Sequence, residues 1–323
     1  MSPDVAIYMQ PPGELAKLLR IHHMPHALPL LRRLMFTRFA GGITEHTRIL
    51  FSSNTELTSD MPAETAFAAA YLDFSRGPET EIWLYSSLER RPDALATSAS
   101  EKKEASDEEK REEEAAACAR LVLQEVKRQR DAYSAERKAL STILAGTLSE
   151  TLRMALVNQG IIFSNVDVYD KWMFRLDALP EVLSPLAEDM LWDRFRREDI
   201  PTMLSRTHIN RTERTIILLP SMAIYRDDGR PIAWAILGPD SSLSGLHCEE
   251  EWRGKGLAKA VATRLLRERL KEYDDEVYCW ADVAPDNPNS QRLCKSLGGK
   301  VAWAISWSRI DLDKSFPDRI STE

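Results

Sequence analysis

Residues 243–270 read LSGLHCEEEWRGKGLAKAVATRLLRERL and join a strand-like segment to an amphipathic helix. The helix repeats apolar residues at three- to five-residue intervals on one predicted buried face: Leu257, Val261, Leu265 and Leu270, with Ala258 and Ala262 beside them. Between strand and helix stands the turn Arg253-Gly254-Lys255-Gly256. Glycine lets a bulky anion approach the backbone, and a helix N-terminus attracts negative charge through its unpaired N–H groups and its dipole. The turn is therefore predicted to hold a pyrophosphate, with two cationic side chains adding charge.

The same turn also suits a plain charged loop that starts a helix, so these residues alone leave both interpretations open. Two other phosphate-binding patterns are absent from this segment, which contains neither GxxxxGKS/T nor GxGxxG. A P-loop and a dinucleotide fingerprint are therefore excluded here.

A second segment resolves the choice by resemblance. Arg253-x-x-Gly256-x-Ala258 after a strand resembles the acyl-CoA pyrophosphate motif of the GNAT (GCN5-related N-acyltransferase) superfamily. The stretch DVAPDNPNSQRLCKSLG, 282–298, resembles the next block of that superfamily, with these positions in register: Asn287, Ser290, Leu293, Leu297 and Gly298. Segments 229–235 and 277–279 are similar to the glycine N-acyltransferase-like, or FR47-like, branch. The resemblance is good over 160–305, faint over 15–90 and absent over 91–116.

The resemblance implies an α/β chain of the mixed α+β class. Its GNAT fold would be a central, mostly antiparallel sheet splayed around the acyl-CoA site, preceded by a degenerate GNAT-like N-terminal half. The implied activity is an acyl-CoA-dependent N-acyltransferase, in the first instance an acetyltransferase. It would use acetyl-CoA or another acyl-CoA as co-substrate, without a metal, and the amine of a small molecule or amino acid would attack the thioester directly.

Two other functions remain open on the sequence. One is a catalytically impaired GNAT domain that binds CoA as a sensor or scaffold. The other is an interaction module built on the predicted helices of 101–155, which would bind no CoA at all.

The resemblance also assigns cofactor contacts. The pantetheine arm would pair with the strand before the motif, the pyrophosphate would lie on the turn and helix start, and the next block would complete the site. These residues are Leu246, His247, Cys248, Arg253, Gly254, Lys255, Gly256, Leu257, Ala258, Asn287 and Ser290.

The groups that transfer protons are less defined. Cys294 stands where the superfamily carries a tyrosine acid, and Gly299 where it carries a phenylalanine. A thiol with an ordinary pKa of about 8.5 could protonate the departing thiolate, and the alternative is a small buried residue. The candidate bases are His247, Glu249, Glu250, Glu251 and Asp240.

Strand alternation bears on this choice of base. Side chains alternate along a strand, so His247 and Glu249 share one face, and if Cys248 faces the cofactor, His247 is a structural residue instead. Trp234 and Trp280 either line an amine pocket or belong to the core.

Composition limits the class of protein. The chain has 323 residues, a net charge of −7, 43% hydrophobic and 29% charged residues, which excludes a wholly disordered or fibrous chain. No apolar run approaches the ~20 residues of a membrane span, and no signal-peptide pattern starts the chain. We therefore expect a cytoplasmic protein without a membrane partner. The acidic balance argues against nucleic acid, and the oligomeric state stays open.

The four cysteines are widely spaced and form no CxxC: Cys118, Cys248, Cys279 and Cys294. They predict free thiols in a reducing compartment and neither a disulfide frame nor a zinc site.

The predicted organisation has five segments. They are an N-terminal degenerate GNAT-like α+β half (1–90), an acidic linker or insertion (91–116), connecting helices (117–158), a C-terminal catalytic GNAT domain (159–315) and a tail (316–323). Eight acids against four bases place −4 of the net charge within 101–114. The residue patterns also predict helices at 63–72, 186–206 and 255–272, and a strand at 215–219.

Overall fold

The order of secondary-structure elements occurs twice along the chain. A computed structural model describes residues 4–90, 101–136, 141–181, 186–207 and 209–317. Its strands are β1 Asp4–Tyr8, β2 Arg48–Ser53, β3 Phe67–Leu72, β4 Ile82–Ser86, β5 Thr142–Ser149, β6 Ile162–Arg175, β7 Met190–Asp193, β8 Ser221–Arg226, β9 Pro231–Leu237, β10 Leu243–Cys248, β11 Tyr278–Val283 and β12 Lys300–Asp311. Its helices are α1 Gly13–His22, α2 Leu28–Phe36, α3 Glu101–Glu136, α4 Glu150–Asn158, α5 Ile200–Ser205, α6 Glu213–Ile216, α7 Leu257–Arg269, α8 Pro288–Ser296 and α9 Leu312–Ser315. The series β1 to β6 and the series β7 to β12 each follow the order strand, two helices, three strands, helix, strand, helix, strand.

The chain forms two compact units, and each consists of segments that are not contiguous in the sequence. The first comprises Met1–Leu34, Thr44–Val168 and Ile305–Glu323, and the second comprises Met35–Ile43 and Tyr169–Ala304. The strands β6 and β12 each run from one unit into the other.

In the first unit the strand order is β1-β2-β3-β4-β5-β12-β6. Strands β1 to β4 are antiparallel neighbours, and β5 is antiparallel to β12. Helix α3 packs on β2, β3 and β4 and buries its apolar middle there. The core residues that α3 contributes are Cys118, Ala119, Val122, Leu123 and Val126.

The second unit holds the segment predicted to bind the acyl-CoA. Its four-stranded antiparallel sheet has the order β10-β9-β8-β7, and the second half of β6 pairs with β11 in antiparallel fashion. Helix α7 packs on β8, β9 and β10. Val261, Ala262 and Leu265 of α7 are buried, as the apolar repeat predicts, whereas Leu257 and Ala258 are half-buried.

Several predicted elements are wrong. The alanine-rich segment 63–72 was predicted as a helix, but Phe67–Leu72 forms strand β3, because pairing with β2 and β4 outweighs the helical preference of alanine. Residues 117–158 were predicted as connecting helices, but Thr142–Ser149 forms strand β5. Strand β12 pairs with β5 along its whole length.

Two further predictions fail in the second unit. The helix predicted over 186–206 is replaced by strand β7, which pairs with β8, and by the short helix α5, which has a proline in its first turn. The strand predicted over 215–219 instead contains the end of helix α6. Helix α7 ends at Arg269, and a 3-10 turn covers 270–272 of the predicted helix.

The predicted acidic insertion falls partly outside the described residues, which omit 91–100. Its remainder, 101–116, belongs to helix α3, which continues through the predicted boundary at 116 to Glu136. The tail beyond residue 317 also lies outside the described residues. The five-segment organisation stays a prediction.

Candidate functional site

Strands β10 and β11 of the second unit approach each other without sharing a ladder. β10 is the end strand of the four-stranded sheet, and β11 is the end strand of the other sheet. This separation is the splayed sheet predicted from the resemblance. It leaves one edge of β10 open to a ligand.

A bulge at Gly245 sets the direction of the side chains on β10. The register with β9 shifts between Ser244 and His247, and Gly245 has φ +56°. After the bulge, His247 pairs with Trp234 and Cys248 with Ala233. The imidazole of His247 stacks on the Trp234 indole, with ring centroids 4.6 Å apart.

The Cys248 carbonyl points into the open edge of β10. The backbone N–H of Glu249 donates to the Ile232 carbonyl of β9 at 2.9 Å. In a trans peptide the C=O of one residue and the N–H of the next point in opposite directions, so the Cys248 carbonyl points away from β9. This backbone acceptor faces the side on which an extended arm would lie along the strand.

The predicted turn has the backbone that a pyrophosphate cradle needs. Gly254 and Gly256 both have φ +79°, a left-handed conformation that favours glycine. A Cβ built on either residue would meet no atom of the described structure within 4 Å, so the space above the turn is open. Gly256 is the N-cap of α7, and its carbonyl accepts from the Ala260 N–H. The N–H groups of Leu257 and Ala258 therefore stand at the free start of a 13-residue helix.

Both cations of the turn contact nearby groups. The Nε of Arg253 donates to the Cys248 carbonyl at 3.1 Å. The Nζ of Lys255 lies 4.2 Å from the centroid of the Trp252 ring, in a cation–π contact. The two charges are thus held beside the turn by different partners.

His247 and Glu249 lie together, as strand alternation predicts. The Nε2 of His247 is 3.5 Å from Oε2 of Glu249. Burial lowers the pKa of His247 below its usual value of 6.5, and the opposing effect of Glu249 does not overcome it. Neutral imidazole is the form that can accept a proton, so this environment suits a base near neutral pH.

Sequence reasoning missed a third member of this group, Arg206. Its Nε donates to Oε1 of Glu249 at 3.1 Å. Arg206 follows α5 and stands 43 positions before Glu249, and no motif in the sequence links the two. The result is a chain of contacts from guanidinium to carboxylate to imidazole.

Cys294 lies in the interior. It is 2% exposed, and burial raises the pKa of its thiol to about 12. Such a thiol is a weak acid, and the structure favours the alternative of a small buried residue. Beside it, a Cβ at Gly299 would collide with the ring of Phe174 from β6. The Phe174 ring therefore fills the space next to the position where the superfamily carries a phenylalanine.

The remaining candidates have structural roles in the described residues. Asn287 is the N-cap of α8, and its Oδ1 accepts from the Ser290 N–H at 3.1 Å. The carboxylate of Asp240 is 1% exposed and accepts from the N–H and the hydroxyl of Ser242, which argues against it as a base. Glu250 and Glu251 lie in a short 3-10 turn.

The two tryptophans are core residues. Trp234 and Trp280 are both fully buried, which favours the core alternative over an amine pocket. The Nζ of Lys171 lies 3.3 Å from the Trp280 ring centroid and 2.7 Å from Oδ1 of Asp282. This buried ion pair covers one side of Trp280.

The described residues of the first unit form no equivalent cradle, and residues 91–100, between β4 and α3, lie outside them. Its β4 and β5 are parallel and share a single register pair, Ile82 with Ala145. The space beside Gly146 is occupied by Thr80, Trp83 and Trp307. The segment 87–100 after β4 contains no glycine. The first half therefore lacks, in its sequence, the glycine pair that forms the turn of the second half.

Within the described ranges, no helix is long and apolar enough to cross a membrane. The same residues contain no group of three or more His, Cys, Asp or Glu side chains placed to hold a metal ion.

Comparisons with known proteins agree with this geometry. Residues 4–172 match the model of the acyl-CoA N-acyltransferase verG N-terminal domain, and residues 221–308 match the FR47-like protein model. No curated protein matches the chain. Among solved structures, the chain is similar to a Drosophila protein, with a TM-score of 0.60, 15% identity, and coverage of 92% of this chain and 94% of that one. It is also similar to a GCN5-related N-acetyltransferase from Sphaerobacter thermophilus, with a TM-score of 0.50, 13% identity, and coverage of 95% and 96%.

The structural likenesses support the fold, and the family models support the assignment. The match to the verG N-terminal domain model alone spans more than half of the chain. With the repeated element order, the splayed strands and the glycine turn, this chain belongs to the GNAT superfamily of acyltransferases, in its FR47-like branch, with a verG-type N-terminal domain.

Proposed function

We propose that this protein transfers an acyl group, in the first instance acetyl, from acyl-CoA to the amine of a small molecule or amino acid. One observation carries the proposal. The open edge of β10 leads directly into a turn with two left-handed glycines, two cations and the free start of α7. A pantetheine arm and a pyrophosphate would need such a sequence of sites, in this order.

In this proposal the backbone of Leu246, His247 and Cys248 pairs with the pantetheine arm. The N–H groups from Gly254 to Ala258 bind the pyrophosphate, and Arg253 and Lys255 neutralise its charge. Asn287 and Ser290, at the start of α8, complete the cofactor contacts.

His247 acts as the base. The amine nitrogen attacks the thioester carbon, the C–S bond breaks, and CoA leaves as its thiolate. Before the attack, neutral His247 takes one proton from the bound ammonium, and the second proton that the nitrogen loses as the amide forms passes to water. The carboxylate of Glu249, whose Oε2 lies 3.5 Å from Nε2 of His247, stabilises the imidazolium that forms.

Cys294 is left out of this scheme. Its pKa of about 12 lies well above the value of about 8.5 for an ordinary thiol, so it would be a poor proton donor to the CoA thiolate. Water protonates the thiolate instead.

The test is thiol release. The full-length protein is incubated with acetyl-CoA and a panel of small amines and amino acids, and free CoA is followed together with the mass of the products. Turnover on at least one amine supports the proposal. The Arg253→Glu, Gly256→Asp double variant should lose acyl-CoA binding while it keeps the fold, and unchanged affinity would refute the cradle.

A CoA-binding sensor or scaffold is the second candidate. The burial of Cys294 favours it, because no acid occupies the position of the superfamily tyrosine. Acyl-CoA binding without turnover on any amine would support it. For either function we propose the cytoplasm as the location, since the four free cysteines suit a reducing compartment.

A further inference from the structure

Arg253 contacts the strand that precedes its own turn. Its Nε donates to the Cys248 carbonyl at 3.1 Å, while the side chain itself is exposed. The acceptor is a backbone group, so the contact fixes the guanidinium over the strand whatever side chain stands at position 248.

The contacted carbonyl belongs to the open edge. The Glu249 N–H points to β9, so the Cys248 C=O points away from it, towards the gap beside β11. An amide N–H of a ligand that lies along this edge would take the place that the Nε of Arg253 now occupies. A carbonyl oxygen can accept two hydrogen bonds, but both donors would approach this one from the open side of β10, so the guanidinium and such a ligand would compete for that approach.

We infer that Arg253 sets the specificity for the thioester donor by closing the β10 edge until a pyrophosphate draws it away. This inference rests on the proposed function. A donor with the CoA pyrophosphate offers the guanidinium a charged partner in exchange for the carbonyl. A thioester that lacks the pyrophosphate must break the same contact and receives no replacement for it. The side chain thus discriminates against truncated donors as well as binding the complete one.

Lys255 supplies a matched control. It carries the same charge in the same turn, but its Nζ lies over the Trp252 ring, and no hydrogen bond among the described residues joins it to the Cys248 carbonyl. Removal of either charge should weaken the binding of acetyl-CoA. Only the removal of Arg253 should open the edge.

The experiment compares two ligands on three proteins. Calorimetry measures the Kd of acetyl-CoA and of S-acetylpantetheine, which has the same thioester arm without phosphates, for the wild type, Arg253→Met and Lys255→Met. We expect Arg253→Met to raise the Kd of acetyl-CoA about tenfold or more and to lower the Kd of S-acetylpantetheine about threefold to tenfold. Lys255→Met should raise the Kd of acetyl-CoA and leave the Kd of S-acetylpantetheine within about twofold of the wild-type value.

The outcomes test the proposed function and the inference on Arg253 separately. A wild type that does not bind acetyl-CoA overturns the proposed function and this inference with it. A wild type that binds acetyl-CoA, with S-acetylpantetheine affinity unchanged or reduced in Arg253→Met, overturns the inference alone. Arg253→Lys gives a second measurement, because lysine keeps the charge without the guanidinium Nε: S-acetylpantetheine should bind more tightly than to the wild type, and unchanged binding contradicts the competition for the carbonyl.

Discussion

The imidazole of His247 lies on the indole of Trp234, with ring centroids 4.6 Å apart and an interplanar angle of 26°. Trp234 is fully buried and packs against Phe195, whose ring centroid is 5.3 Å away. The stack fixes the plane of the imidazole and removes water from one of its faces. Loss of water disfavours the charged form, which explains the lowered pKa of His247.

The first prediction concerns the base. Glutamine at position 247 keeps a planar polar group but accepts no proton near neutral pH, so His247→Gln should lower kcat/KM about 100-fold or more. Binding of acetyl-CoA should stay within about threefold, because the backbone of β10 is retained. Steady-state kinetics and calorimetry check the two parts. His46→Gln, in the first unit, serves as the control, and equal activity of both variants would refute the role of His247.

The second prediction concerns pH. Arg206 lowers the pKa of His247 and binds Glu249, and Arg253 lowers that pKa as well, while Glu249 raises it. Activity needs the neutral imidazole, so kcat/KM falls as the pH drops through this pKa. Arg206→Leu removes one cation and should move the acidic limb of the profile to higher pH by about half a unit to one unit.

Arg206→Lys should return the acidic limb part of the way to its wild-type pH, because lysine keeps the positive charge. Arg197→Leu is the matched control, because Arg197 pairs with Glu213 on an exposed part of the same region. A profile of Arg206→Leu that coincides with that of the wild type would show that this side chain does not act on His247.

The third prediction concerns the turn. An alanine in place of a left-handed glycine costs about 1–2 kcal/mol. Gly256→Ala should lose about this much unfolding free energy and should also bind acetyl-CoA about tenfold more weakly, since its Cβ enters the space over the turn. Gly229 has φ +84° and an equally open Cβ position. Gly229→Ala should show the same loss of stability with unchanged binding, and a similar loss of binding in both variants would remove the turn from the site.

The fourth prediction concerns Cys294. Because the thiol is buried with a pKa raised to about 12, Cys294→Ala should leave kcat within about twofold. The lost packing should lower the free energy of unfolding by about 1 kcal/mol, as measured in urea. Cys118→Ala, at a buried thiol of the first unit, is expected to behave alike. A tenfold fall of kcat in the Cys294 variant alone would restore the cysteine as the acid.

Local signals explain what the sequence could predict. The glycine turn and most of the apolar face of α7 depend on residues within one turn or one helix, and the structure places them as expected. Alternation along β10 likewise brought His247 and Glu249 to one side. These relationships need no knowledge of distant parts of the chain.

The failures have the opposite character. Strand β3 and strand β5 contain good helix formers, and only their neighbours in the sheet make them strands. Arg206 reaches Glu249 from another element, and nothing near it in the sequence marks the contact. The packing of Phe174 beside Gly299 is a third case, since Phe174 is on β6 and Gly299 directly precedes β12, more than a hundred positions later.

The strand order of the first unit also determines when its strands can pair during synthesis. β12 is the last of the described strands along the chain, and its Ile305–Asp311 segment lies between β5 and β6. A ribosome releases the two neighbouring strands long before it releases the strand between them. The sheet nearest the N-terminus is therefore the one that closes last, and a nascent chain stalled before residue 305 would expose two unpaired strand edges to its surroundings.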